Sequence, residues 1–317
     1  MKKLAFGFAV LLASGALAQP FPSKPVHIVV AFPPGGGTDI VARLLAPRLV
    51  EAWGQQVIVD NRAGASGTIG TEFAARSAPD GHTLFLGTLG NLAVNQHLYP
   101  KMSVDPLRDF APVTQVVAVH FVMVANPALG AKNVAELIAL AKSRPGQINY
   151  SSSGPGGAPH LAAELFKSMA QVNLVHVPYK GSAPSFQDLL GGQVSLTCDS
   201  LVQALPYIRD GRLTALAVLG ATRSPLLPDV PTVGETLPGY ELTNWFGLVA
   251  PAAVPRPAIA RIHADVVKQL REPLVAEKLS GMGATAIGNT PEQFGAAMRA
   301  DSEKWGRLIR EAHIKAE

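Results

Sequence analysis

The sequence predicts an α/β protein of two lobes, each a mainly parallel sheet flanked by helices, with a ligand cleft between the lobes. Three observations carry this. Apolar runs of strand length alternate with amphipathic helical stretches, which is the pattern of strand–helix–strand units. Glycine-rich loops stand where several strands hand over to helices. The chain has 317 residues, and at roughly 150 residues per domain that length suits two compact units. Hydrophobic residues make up 48% of the chain and charged residues 16%, so a packed core is expected and charge-driven disorder is not. The 30 glycines and 26 prolines exceed the usual share and point to many defined turns.

Met1-Lys2-Lys3, an apolar run over 4–12 and the small-residue stretch ending Ala16-Leu17-Ala18 read as a secretory signal peptide over 1–18. The mature chain is then expected to begin near Gln19, exported and soluble. The apolar run is too short for a membrane span, so no membrane insertion of the mature chain is expected.

Residues 26–32 form a nearly continuous β-branched run, as in a strand buried on both faces. Pro33-Pro34-Gly35-Gly36-Gly37 follows. Thr38 is placed to N-cap a helix with Asp39 in its first turn and Ile40, Val41, Leu44, Leu45 and Leu49 on its apolar face. Pro47 is expected to kink that helix. The same grammar predicts strand 57–60, loop 64–67, helix 68–77, the turn Pro79-Asp80-Gly81 and strand 82–87.

A second unit begins after the apolar run 116–125. Asn133 with Glu136 three residues on is a capping pattern for a helix to about 143. Strand 147–151, loop 154–157, helix 159–170, strand 174–177, helix 184–190, strand 194–198, helix 201–209 and strand 213–219 follow. The proline-dense stretch 225–257 contains a strand over 244–249, and long helices over 257–280 and 291–312 end the chain. Those helices have no strand after them to serve, so they are expected to return to the first sheet. The expected division is residues 19–121 plus 222–317 for lobe 1 and 122–221 for lobe 2.

Charge and motif exclude several functions. The formal net charge is +4, and no basic cluster longer than a dipeptide is present, so no nucleic-acid role is expected. A single cysteine, Cys198, rules out an intrachain disulfide, and its apolar neighbours suggest a buried strand thiol. Phosphate-binding glycine fingerprints fail on inspection, as do the G-x-S-x-G elbow and zinc-type histidine pairs. No cofactor or metal is expected.

What remains are strand-to-helix loops at Gly35–Gly37, 64–67 and 154–157. They place unpaired backbone N–H groups at helix N-termini, where the helix dipole favours an anion. The candidate ligand contacts are Pro34, Gly35, Gly36, Gly37, Thr38, Asp39, Ser66, Thr88, Ser151, Ser152, Ser153, Gly154, Gly157, Tyr179, Lys180 and Asp199. Capping is the competing role for Thr38, Asp39 and Asp199, and a solvated surface position that for Lys180. Trp245 is read as core. Ser152, His160 and Asp199 form an imaginable triad, and an exported hydrolase using Ser152 or Ser153 is the alternative from another class.

Several segments taken in order resemble a known family. They are Phe32-Pro33-Pro34-Gly35-Gly36-Gly37-Thr38-Asp39, Asp60-Asn61-Arg62-Ala63-Gly64-Ala65-Ser66-Gly67, Pro79-Asp80-Gly81-His82-Thr83-Leu84, Tyr150-Ser151-Ser152-Ser153-Gly154 with His160-Leu161, and His176-Val177-Pro178-Tyr179-Lys180-Gly181. Leu227-Pro228-Asp229-Val230-Pro231-Thr232 and Trp245-Phe246-Gly247-Leu248-Val249-Ala250-Pro251 extend the set. Together they resemble the Bug family, the periplasmic substrate-binding receptors of tripartite tricarboxylate transporters. The resemblance implies a type II periplasmic-binding-protein fold and a monomer that closes on a small organic carboxylate. Its partners would be integral membrane transporter subunits, or a signalling kinase if the receptor serves sensing. It also implies that the loops over 34–38 and 151–157 hold the carboxylate and that Asp199 matches a strand-end acid used by some members. Ala63 and Ser66 depart from the proline and glycine usual at those places.

Overall fold

The computed structural model describes residues 21–99, 101–311 and 314; the signal peptide read over 1–18 lies outside them. The first sheet collects β1 (Val26–Val30), β2 (Val57–Asn61), β3 (Thr83–Thr88) and β4 (Phe110–Val119). Helices α1 (Gly37–Trp53), α2 (Thr68–Ala75), α3 (Asn95–Leu98) and α4 (Pro106–Asp109) lie between them. The chain then passes through His120 into β5 (Phe121–Ala125), which belongs to the second sheet. There follow α5 (Val134–Ser143), β6 (Asn149–Ser152), α6 (Ala158–Ala170), β7 (Val175–Pro178), α7 (Ser182–Leu190), β8 (Leu196–Ser200), α8 (Leu201–Arg209) and β9 (Thr214–Val218). The return brings β10 (Asn244–Pro251), α9 (Arg256–Leu270), α10 (Pro273–Gly281), β11 (Ala284–Ala286) and α11 (Pro291–Glu311) back to the first sheet.

The strand orders are β11-β4-β10-β3-β1-β2 and β7-β6-β8-β5-β9. Both sheets are mixed, which corrects the expectation of mainly parallel ones. β1 runs parallel to β2 and β3, and β6 parallel to β7 and β8. β10, however, lies antiparallel between β3 and β4, and β5 antiparallel between β8 and β9. Every residue of β5 and β10 is buried. An antiparallel strand covered on both faces reads as a continuous apolar run, like a parallel one, so periodicity alone does not distinguish them.

Three local expectations are also revised. Helix α1 begins at Gly37 with Gly36 as its N-cap, so Thr38 sits inside the first turn instead of capping it. Glycines let the backbone turn into the helix two residues early, and the Asp39 carboxylate reaches back to accept the Gly35 N–H at 2.9 Å. Pro47 lies inside α1, which continues to Trp53. The helix expected over 257–280 is two helices parted at Arg271–Glu272, because Pro273 lacks an N–H and disfavours helical backbone at Glu272, which is extended. Finally, the terminal helices do have a strand between them, since β11 pairs with β4.

The core placements agree with the sequence reading. Cys198 is buried and unpaired in β8, and burial pushes its thiol well up. Trp245 packs edge-on against Phe294 with ring centres 5.2 Å apart, and its indole N–H donates to Asp301 at 2.7 Å. Asn133 caps α5 by accepting the Glu136 N–H at 2.9 Å.

Candidate functional site

One cavity opens where the two sheets face each other, with about 440 Å³ of space free of protein atoms, part of it open to solvent. From the first sheet's side it is lined by Phe32, Gly36, Gly37, Thr38, Thr88, Asn244 and Phe246. The second sheet's side contributes Ser153, Gly157, Ala158, Pro159, Ser182, Asp199 and Ser200, with Phe121 at the junction. The starts of α1, α6, α7 and α8 therefore converge on one space. At each start the first N–H groups have no acceptor within the helix, and the dipole presents partial positive charge.

No lysine or arginine lines this space. Three phenylalanines give it apolar walls, while hydroxyls, backbone amides, Asn244 and Asp199 supply the polarity. Asn244 is 3% exposed, and its Oδ1 has no hydrogen-bond partner among the described residues. A buried polar atom left in this way is costly unless something else satisfies it.

Asp199, also 3% exposed, accepts the Ser182 hydroxyl and the Ser200 N–H, each at 2.6 Å. Burial pushes its carboxyl up to about 6, against the lowering effect of those hydrogen bonds. It does not cap α8 with its side chain; Ser200 occupies the N-cap position.

Of the residues predicted from sequence, the cavity brings together Gly36, Gly37, Thr38, Thr88, Ser153, Gly157 and Asp199. Pro34, Gly35, Asp39, Ser66, Ser151, Ser152, Gly154, Tyr179 and Lys180 lie off its wall. Asp39 has its own partners, namely the Gly35 N–H, Arg43 at 3.0 Å and Asn61 at 2.9 Å. Burial opposes its charge, but these bonds hold its carboxyl below the usual range. Ser151 accepts the Ser185 hydroxyl at 2.7 Å between β6 and α7, and Tyr179 donates to Asp188 at 2.6 Å. Lys180 is exposed.

Several of these off-wall residues instead join the two sides. The Tyr99 hydroxyl donates to the Pro155 carbonyl at 2.6 Å and shares a 2.9 Å hydrogen bond with Ser66. Gly154, at φ +127°, lets the second loop close onto the first: a Cβ there would stand 2.5 Å from Ser66 Oγ.

The imagined triad is not assembled. Ser152 Oγ hydrogen-bonds His176 Nε2 at 2.7 Å, His160 accepts a backbone N–H, and Asp199 faces Ser182. A hydroxyl beside an imidazole is half of a nucleophile–base pair. Yet Ser152 is fully buried away from the cavity, and its Oγ also accepts the Gly154 N–H at 3.1 Å.

Two mixed sheets joined by two crossings, with helix N-termini facing one cleft, define a type II solute-binding protein. The family model described as tripartite tricarboxylate transporter family receptor, TctC, matches residues 41–314. BugT of Bordetella pertussis is 36% identical, with 99% of each chain covered. An R. palustris protein solved with adipate superposes at a TM-score of 0.91 with 38% identity, over 93% of this chain and 99% of that one. MatC from Rhodopseudomonas palustris with bound malate gives 0.88 and 32%, over 91% and 100%. The chain belongs to the TctC receptor family, the same family as the Bug proteins. Its family and structural neighbours are solute-binding proteins and not enzymes.

Proposed function

We propose that this chain is a periplasmic receptor that captures a small organic carboxylate between its lobes and delivers it to the membrane subunits of a tripartite tricarboxylate-type transporter. The single observation that carries the reading is the convergence of the α1 and α6 N-termini on one cavity without a lysine or arginine in its wall. Fixed N–H dipoles hold an anion without the desolvation cost of a buried cation. The lobes are residues 19–121 plus 222–317, and 122–221. A carboxylate would take the N–H groups of Gly37, Thr38 and Ala158 with the hydroxyls of Thr38 and Ser153. Phe32, Phe121 and Phe246 would enclose the ligand's body. Asn244, Ser182 and Asp199 would read its far end. Two relatives of matching architecture were solved with adipate and malate, which supports the ligand class. Among the described residues, no helix is long and apolar enough to cross a membrane.

Thermal unfolding against di- and tricarboxylates, aromatic acids and acidic amino acids tests the reading. A ligand at about 100 times its Kd adds about 2.7 kcal/mol, enough to raise Tm by several degrees. A flat response across the whole panel would overturn it.

A further inference from the structure

The segment Gly154-Pro155-Gly156-Gly157 has almost no side chain of its own with which to define its shape, yet α6 begins on it. Gly154 stands at φ +127° and Gly156 at φ +76°. What fixes the loop is therefore what its backbone bonds to: the Pro155 carbonyl accepts the Tyr99 hydroxyl across the cleft at 2.6 Å, and the amides turn to partners on the loop's own side. The Gly156 N–H donates to His160 Nδ1 at 3.1 Å. The Gly154 N–H donates to Ser152 Oγ at 3.1 Å, and that oxygen lies 2.7 Å from His176 Nε2. The Gly157 N–H closes the turn onto the Gly154 carbonyl at 3.2 Å.

The two imidazoles that these chains reach are themselves held. They stack with centres 4.3 Å apart, and Tyr150 stacks on His176 at 4.8 Å. Glu164 takes the Tyr150 hydroxyl and the Lys167 ammonium, so the carboxylate behind the stack is satisfied. His160 is 3% exposed. Its Nδ1 accepts a backbone N–H, so its ring proton is on Nε2. Burial keeps the ring neutral by lowering its pKa to about 4; Glu164 opposes that shift and Lys167 reinforces it.

We propose that His160 and His176 are positioning residues for ligand capture: a stacked pair behind the loop that holds the amide of Gly156 directly and that of Gly154 through Ser152. The fixed loop then directs the free N–H groups at the start of α6 and the Ser153 hydroxyl into the cleft. The link to capture rests on the carboxylate reading above, whereas the clamp itself is a property of the unliganded loop. A glycine-rich segment loses much backbone freedom when it is ordered, so ordering it before the ligand arrives preserves affinity.

The test uses the full mature chain with His160→Leu and His176→Leu, which keep apolar bulk and remove the ring nitrogens, and His160→Asn, whose Oδ1 restores an acceptor near the site of Nδ1. Amide hydrogen exchange over 153–161 is read without ligand, and titration calorimetry is read with adipate and malate. Each leucine variant is expected to speed exchange over the loop about tenfold, with strand β8 unchanged, and His160→Asn to return it to the wild-type rate. Affinity for whichever acid the wild type binds should fall about tenfold and recover in the same order. Wild-type loop exchange in the leucine variants, no rescue by His160→Asn, or affinity that ignores the loosened loop would each overturn the proposal. If the wild type binds neither acid, the carboxylate that raises Tm most in the thermal panel replaces them in the titration, and a flat panel overturns the receptor reading while the exchange data decide the clamp. Should one leucine variant not fold, the other and His160→Asn carry the comparison.

Discussion

The Tyr99 hydroxyl on the first side of the cleft donates to the carbonyl of Pro155 on the second, at 2.6 Å. Through its 2.9 Å bond to Ser66 it also holds the loop whose unusual serine stands at φ +54°. Burial raises the Tyr99 pKa, so the group remains a neutral donor across the physiological range. Tyr99→Phe removes the cross-cleft hydrogen bond to Pro155 together with the bond to Ser66, a change of about 1 kcal/mol or somewhat more. Carboxylate affinity should fall roughly fivefold, chiefly through faster dissociation. Stopped-flow release kinetics check this; an unchanged off-rate would show that the bond does not hold the lobes together.

Gly37 begins α1 at the cavity wall. A Cβ at this position would stand 2.8 Å from Ser200 Oγ and 3.3 Å from the Phe246 ring, so the space beside Gly37 is already filled. Its φ does not require glycine, and alanine suits a helix better. Gly37→Ala gains helix propensity but must push Ser200 and Phe246 aside, so it should cost the protein about 1–2 kcal/mol. Binding should weaken at least about tenfold, because the added methyl keeps Ser200 and Phe246 from closing on the helix start. Equal affinity in calorimetry would place the ligand away from α1.

The glycine loops were legible because their signal is local: consecutive glycines after a β-branched run, followed by a helical pattern, can be read in a dozen residues. Gly36, Gly37 and Gly157 reach the cavity for that reason. Asn244, Phe246 and Phe121 were missed as site residues because the crossings, and not their neighbours in sequence, bring them there. The one local signal was a carboxamide, Asn244, at the head of an otherwise apolar strand. Ser151, Ser152, Ser66 and Tyr179 carry the same side-chain chemistry as true wall residues, but partners elsewhere in the chain turn them inward. Strand direction escaped for a related reason, since β5 and β10 are buried on both faces whichever way they run.

Asp199 is expected to lower stability at neutral pH. Its carboxyl is raised from 3.8 to about 6 in the folded chain, so the folded state favours the protonated form. Its contribution is present in full below the unfolded value and is lost as pH rises through about 6. The shift corresponds to about 3 kcal/mol. Asp199→Asn keeps an acceptor for the Ser200 N–H and supplies a donor to Ser182. It should raise stability by about 2 kcal/mol at pH 7 and by nothing near pH 3.5, as measured by urea unfolding at the two pH values. A variant less stable than wild type at pH 7 would refute the assignment.

His160 should act in the opposite direction over nearly the same interval. Its folded pKa is lowered from 6.5 to about 4, so the unfolded chain takes up the proton first as pH falls. Stability is then lost from about pH 6.5 down to about 4, on the order of 3 kcal/mol in all. Between pH 6 and 4 that loss is offset by the gain as Asp199 takes up its proton, so these two groups should leave the wild-type curve nearly level. Each substitution removes one side of the balance. Asp199→Asn should expose a stability that falls with acid, and His160→Asn one that rises with acid. Unfolding measured at half-unit steps from pH 7 to 4 distinguishes them. If both variants shared one slope, the two shifts could not both be as the geometry implies.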